Sequence, residues 1–148
     1  MTEYVKLGRE FGIDWNYILV KDITFNFGKE FFIPSEFKNQ WFWIRMDGDE
    51  LFLTVFKDYA WDGCTAVPDI KGTLIPSIAH DVLYQFSGAL CKAWDWSLAK
   101  ELNFANKIFK KSMKQTETNC VVKYTYFFGV VLFGYPFRVI KRFFASIF

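Results

Sequence analysis

As far as Phe56 apolar residues alternate with polar ones or run in short blocks; from Ile75 onward they recur every three or four positions. That change of period divides the chain into an extended part and a helical part. From Trp15 to Phe27, Tyr17, Leu19, Lys21, Ile23 and Phe25 share one face of an extended segment, and the β-branched and aromatic content favours a strand. Trp41 to Phe56 reads as a hairpin. Its centre, Met46-Asp47-Gly48-Asp49, offers the Asp-Gly pair that accepts positive φ in a tight turn. Asp58 to Gly72 is punctuated by Gly and Pro and reads as a loop.

A first helix is predicted from Thr73 or Ile75, with Pro76 in its first turn, where the missing amide hydrogen does no harm. His80 then sits one turn inside. His80 and Tyr84 are four apart and share a face with Ser77 and Ser87, whereas Asp81 projects about 100° away and need not touch His80. A second helix is predicted from Ser97 to Lys114: Leu98, Leu102, Ala105, Phe109 and Met113 form one apolar stripe with lysines opposite. The fold class expected is α+β, a small N-terminal antiparallel sheet packed against two to three C-terminal helices. No repeat, low-complexity tract or linker interrupts the chain, and 148 residues suit one domain. It is divided as 1–58 mainly β, 59–75 a loop, and 76–148 mainly α.

Composition changes this picture in one respect. Phe, Trp and Tyr make up 22% of the chain, which either fills the core with rings or leaves a binding groove or sticky surface. Charge is unevenly placed. Residues 1–99 hold nine Lys and Arg against fourteen Asp and Glu, a net −5, whereas residues 100–148 hold nine against two, a net +7. Such asymmetry marks either an anionic partner or a solvated basic helix face at Lys107, Lys110, Lys111 and Lys114. That helix lacks arginine and the aromatics look too apolar for a regular stacking platform, which argues against nucleic acid.

Cys64, Cys91 and Cys120 have neither metal-ligand spacing nor an even count for a disulfide framework, so no zinc site, no cofactor and a reducing setting are expected. The acidic N-terminal stretch MTEYVKLGREFGIDW does not have the form of a signal peptide. The uncharged run Tyr124 to Phe137 is fourteen residues, against the ~20 that span a bilayer. After it, Phe137–Phe148 interleaves Arg138, Lys141 and Arg142 with aromatics, a pattern for peripheral membrane contact or for a docked terminal helix or strand.

Polar chemistry concentrates between Trp61 and Phe86, around the single histidine, His80. Imidazole is the side chain best suited to move protons near neutral pH, so acid–base catalysis using it must pass through His80. The strings WDGCT, Pro68, PSIAHDVLYQF and NFANKIF resemble a family of small phage and prophage proteins, the domain of unknown function number 1353. The resemblance spans roughly Tyr59 to Phe137, with HDxLY its most specific part. It implies that Asp62, His80, Asp81 and Tyr84 occupy the family's polar positions, and that Asn106 replaces a second-helix Asp. It also implies a phage- or prophage-encoded accessory protein, in the host cytoplasm or the virion, partnered by a virion or host protein.

Three readings of these residues stand. In a hydrolase, His80 is the general base, Asp62 or Asp81 orients it, and Tyr84 or backbone amides stabilise developing charge. In a cysteine-nucleophile variant, Cys64 pairs with His80, and Asn106 or Asp81 is the third member. In a structural reading, the same residues fasten the first helix, and an aromatic surface binds a partner.

Overall fold

The computed structural model describes residues 4–6, 17–61, 71–116 and 125. Among them run β1 (Tyr4–Lys6), β2 (Tyr17–Leu19), β3 (Ile23–Gly28), β4 (Phe37–Lys38), β5 (Phe42–Asp47), β6 (Glu50–Val55), β7 (Ala60–Trp61), α1 (Lys71–Gln85), α2 (Ser87–Trp94) and α3 (Leu98–Lys114). The strands form two antiparallel sheets, β1-β2-β7 and β3-β6-β5-β4, and the helices follow them: the fold is α+β.

The larger sheet follows directly from its alternation. Phe25 and Phe27, Phe42 and Ile44, and Leu51, Leu53 and Val55 turn inward. Their neighbours Thr24, Asn26, Trp43, Arg45, Phe52 and Thr54 turn outward. The β5–β6 hairpin is in register from Phe42↔Val55 to Asp47↔Glu50, so its loop is Gly48-Asp49. Gly48, at φ 60°, is the first central residue, the place a type II′ loop assigns to glycine.

The predicted Trp15 to Phe27 strand is broken. Trp15 and Asn16 lie outside the described residues; β2 belongs to the smaller sheet and β3 to the larger, with a bend at Val20 and Lys21 between them. Lys21, in phase with Leu19 and Ile23, cannot follow them inward. The chain turns there, and Asp22 Oδ1 accepts the Lys57 backbone amide at 2.7 Å. Leu19 N donates to Tyr59 O at 3.0 Å and Asp58 N to Leu19 O at 2.9 Å. These bonds set β2 beside the strand that leads to α1, and Tyr4, Tyr17 and Trp61 cluster there with ring centroids 5.4 to 5.9 Å apart.

The first helix starts at Lys71, earlier than predicted, which puts Pro76 inside it. A proline there leaves the Gly72 carbonyl without its usual amide partner. Ser77 Oγ bonds the neighbouring Leu74 carbonyl at 2.8 Å. The second predicted helix is α3, with Ser97 as its N-cap accepting the Lys100 amide at 3.3 Å. Leu102, Ala105, Phe109 and Met113 of its predicted stripe are buried, joined by Phe104 and Ile108. Between them α2 ends on Asp95 in the left-handed region, φ 52°, with Trp96 N bonded to Cys91 O at 3.0 Å.

α1 and α3 pack on one another, α1 also against β6 and α3 against β3. Both sheets and all three helices contribute to one cluster of buried side chains. Fully burying one Leu, Ile or Phe is worth about 1.5–3 kcal/mol. This core therefore outweighs any single polar contact, and the polar groups within it select the arrangement rather than drive it. No helix among the described residues is long and apolar enough to cross a membrane.

Candidate functional site

Trp61 of β7 and Tyr59 just before that strand set the position of α1. Trp61 Nε1 donates to Ser77 Oγ at 3.2 Å, and Tyr59 OH donates to Gln85 Oε1 at 3.0 Å. The contacts fall eight residues apart on the helix, so they fix its rotation as well as its place. His80, between them, is turned towards α3.

His80 is 6% exposed. Its ring lies 4.0 Å from the Tyr84 ring and 5.4 Å from that of Phe109, centroid to centroid. The i, i+4 pairing with Tyr84 is the one the helical spacing predicts. Contrary to the same spacing argument, Asp81 does reach His80: its Oδ1 lies 3.1 Å from Nδ1. Adjacent helix positions diverge at Cβ, but Nδ1 is the near ring nitrogen and a short carboxylate folds back to it. The Asp81 side chain as a whole is 22% exposed.

The other nitrogen faces α3. His80 Nε2 is 3.2 Å from Asn106 Oδ1, and Tyr84 OH donates to the same oxygen at 3.1 Å. Two proton arrangements satisfy these distances. With Oδ1 as the acceptor, both ring nitrogens donate; with the amide turned end for end, Nδ2 donates to Nε2 and to the tyrosine oxygen. Either way both ring nitrogens are engaged inside the protein. Neither lone pair is presented to a substrate by the described residues, as a general base requires.

Of the sequence-predicted residues, His80, Asp81, Tyr84 and Asn106 thus form one cluster across α1 and α3. Asp62 and Cys64 lie outside the described residues, as does Phe137–Phe148. Among the described residues no three His, Cys, Asp or Glu side chains come together as a metal site. One buried carboxylate was not anticipated: Glu101, in the first turn of α3, is fully buried. Its signal is its phase, four residues before Ala105 and eight before Phe109 on the apolar stripe. The positive end of the helix dipole favours a negative charge there.

A second surface of interest is the outer face of the larger sheet. Arg45 lies 4.1 Å from the Trp43 ring centroid and 5.4 Å from that of Phe52; Lys38 lies 4.9 Å from Trp43 and 5.8 Å from Phe56. Trp43 Nε1 donates to Glu36 at 3.0 Å, and Asn26 Nδ2 to Glu50 at 2.9 Å. Aromatic rings and cations thereby alternate across this face of the sheet. Comparison with protein-family models, curated proteins and solved structures returns no match to this chain.

Proposed function

We propose that this protein is a non-catalytic interaction module in which the His80, Asp81, Tyr84 and Asn106 cluster is a structural tie between α1 and α3. One observation carries the reading: His80 is 6% exposed with both ring nitrogens engaged by Asp81 and Asn106. A catalytic imidazole needs one nitrogen turned to the reacting group. Here Nε2 is freed only by parting α1 from α3, and Nδ1 only by turning Asp81 away from it. Contact with a partner then falls to surfaces such as the outer sheet face, where Trp43 and Arg45 are of the types that dominate binding energy at protein interfaces. A phage or prophage origin, and with it a virion or host protein as partner, rests on the HDVLY resemblance alone.

The test is a hydrolysis screen of wild type against His80→Gln, a variant that keeps a polar side chain at the tie, using ester, peptide and phosphoester substrates. Equal background rates are expected. Turnover that disappears in the folded His80→Gln protein overturns the reading in favour of a hydrolase.

A further inference from the structure

The exposed side of α3 is a row of cations. Lys100, Lys107 and Lys114 recur every seven residues with Asn103 and Lys110 between them, all exposed, over about 21 Å of helix. The helix shows no carboxylate of its own to solvent, because Glu101, its one acidic residue, is fully buried. The segment leaving β3 runs along the flank of this row. Phe31 turns inward, 6.0 Å from the Phe27 ring and 5.9 Å from that of Phe104, while Glu30 turns out and accepts from Lys111 Nζ at 2.8 Å. Two residues beyond Glu30, within about 7 Å along the chain, Phe32 is 73% exposed. Phe32 is thus an exposed aromatic ring on the segment whose Glu30 meets the flank of this lysine row at Lys111 and Lys114.

From this juxtaposition we infer that the exposed face of α3, with Phe32 at its edge, docks on an anionic phospholipid surface. Lysines over such a surface attract its headgroups without needing fixed geometry, and an exposed ring adds apolar contact at the boundary with the acyl chains. A nucleic-acid backbone would share the charge but has no use for the exposed phenyl edge. α3 also carries none of the arginines that give bidentate phosphate or base contacts. The inference is independent of whether His80 is structural or catalytic.

The full chain is sedimented with vesicles of phosphatidylcholine alone and of phosphatidylcholine mixed with phosphatidylserine, at low and high salt. Expected is binding only to the serine-containing vesicles, weakened by salt. Neutralising two lysines in Lys107→Gln/Lys114→Gln lowers affinity about 25-fold, at roughly five-fold per charge. Gln and Lys have similar helix propensity, so circular dichroism should confirm an unchanged fold. Phe32→Ser should weaken vesicle binding without changing its salt dependence. Indifference to phosphatidylserine, or variants that bind like wild type, overturns the inference. So does salt-sensitive binding to a single-stranded oligonucleotide, lost in the lysine variant, by a protein that ignores vesicles.

Discussion

Asn106→Ala is the sharpest test of the tie between α1 and α3. The substitution removes the side-chain amide shared by His80 Nε2 at 3.2 Å and Tyr84 OH at 3.1 Å. Each neutral hydrogen bond is worth about 0.5–1.5 kcal/mol net, and a buried group left without its partner costs about 1–3 kcal/mol. Asn106 itself is half-buried, so water can enter part of the vacated space and hold the loss towards the lower end. The expected destabilisation is about 2–3 kcal/mol, a large part of the ~5–15 kcal/mol that holds a domain folded. Urea unfolding followed by the fluorescence of the buried Trp61 and Trp94 should show the midpoint falling by about 1 M at unchanged slope. Tyr84→Phe alone should cost about 1 kcal/mol. In the Asn106→Ala background it should cost less, because the bond it deletes is already gone, giving a coupling of about 1 kcal/mol. A loss of under ~0.5 kcal/mol for Asn106→Ala, or strict additivity in the double variant, would refute the tie.

Three further outcomes follow from particular contacts. The Lys111 hydrogen bond and charge, with Lys114 adding and partial desolvation opposing, hold the Glu30 carboxyl below the ordinary glutamate range. A lowered folded-state value means that the pair stabilises at pH above the unfolded value and is lost as pH falls through the folded one. The side-chain carboxyl of Glu30, followed by NMR, should accordingly titrate at lower pH in wild type than in Lys111→Met; equal midpoints would exclude the pairing. Ser97→Ala, removing the cap that accepts the Lys100 amide, should cost about 1 kcal/mol in urea unfolding, and no loss would mean that the cap is idle. Gly48→Ala should cost about 1–2 kcal/mol through its φ of 60° alone, since nothing lies within 4 Å of the added methyl. A stabilised variant would show that the loop has another conformation.

The hairpin and α3 were legible because local signals agree with burial: alternation around Gly48 in one case, Ser97 followed by an apolar stripe in the other. The bend at Val20 and Lys21 was not legible as a break, because Tyr17, Leu19, Ile23 and Phe25 keep the same phase across it while belonging to different sheets. Only Lys21, polar on an otherwise apolar face, hints at it. α2 was hidden for a different reason. Its N-cap, Phe86, provides no side-chain cap, and its left-handed C-cap is Asp95 rather than glycine. Within the cluster, helical spacing brought His80 and Tyr84 together, but contact with Asn106 is set by how α1 and α3 pack. The Asp81 contact depends on side-chain rotation, which spacing along a helix does not determine.

The most direct measurement is the acylation of His80 by diethylpyrocarbonate, read from the absorbance of N-acyl imidazole, to which this chain contributes a single histidine. A ring sealed between Tyr84 and Phe109, with both nitrogens bonded, should react far more slowly in the native protein than in urea. Asn106→Ala should restore part of the lost reactivity. A native His80 that is acylated as fast as the unfolded one would mean that a ring nitrogen faces solvent, and the structural tie would give way to an accessible base.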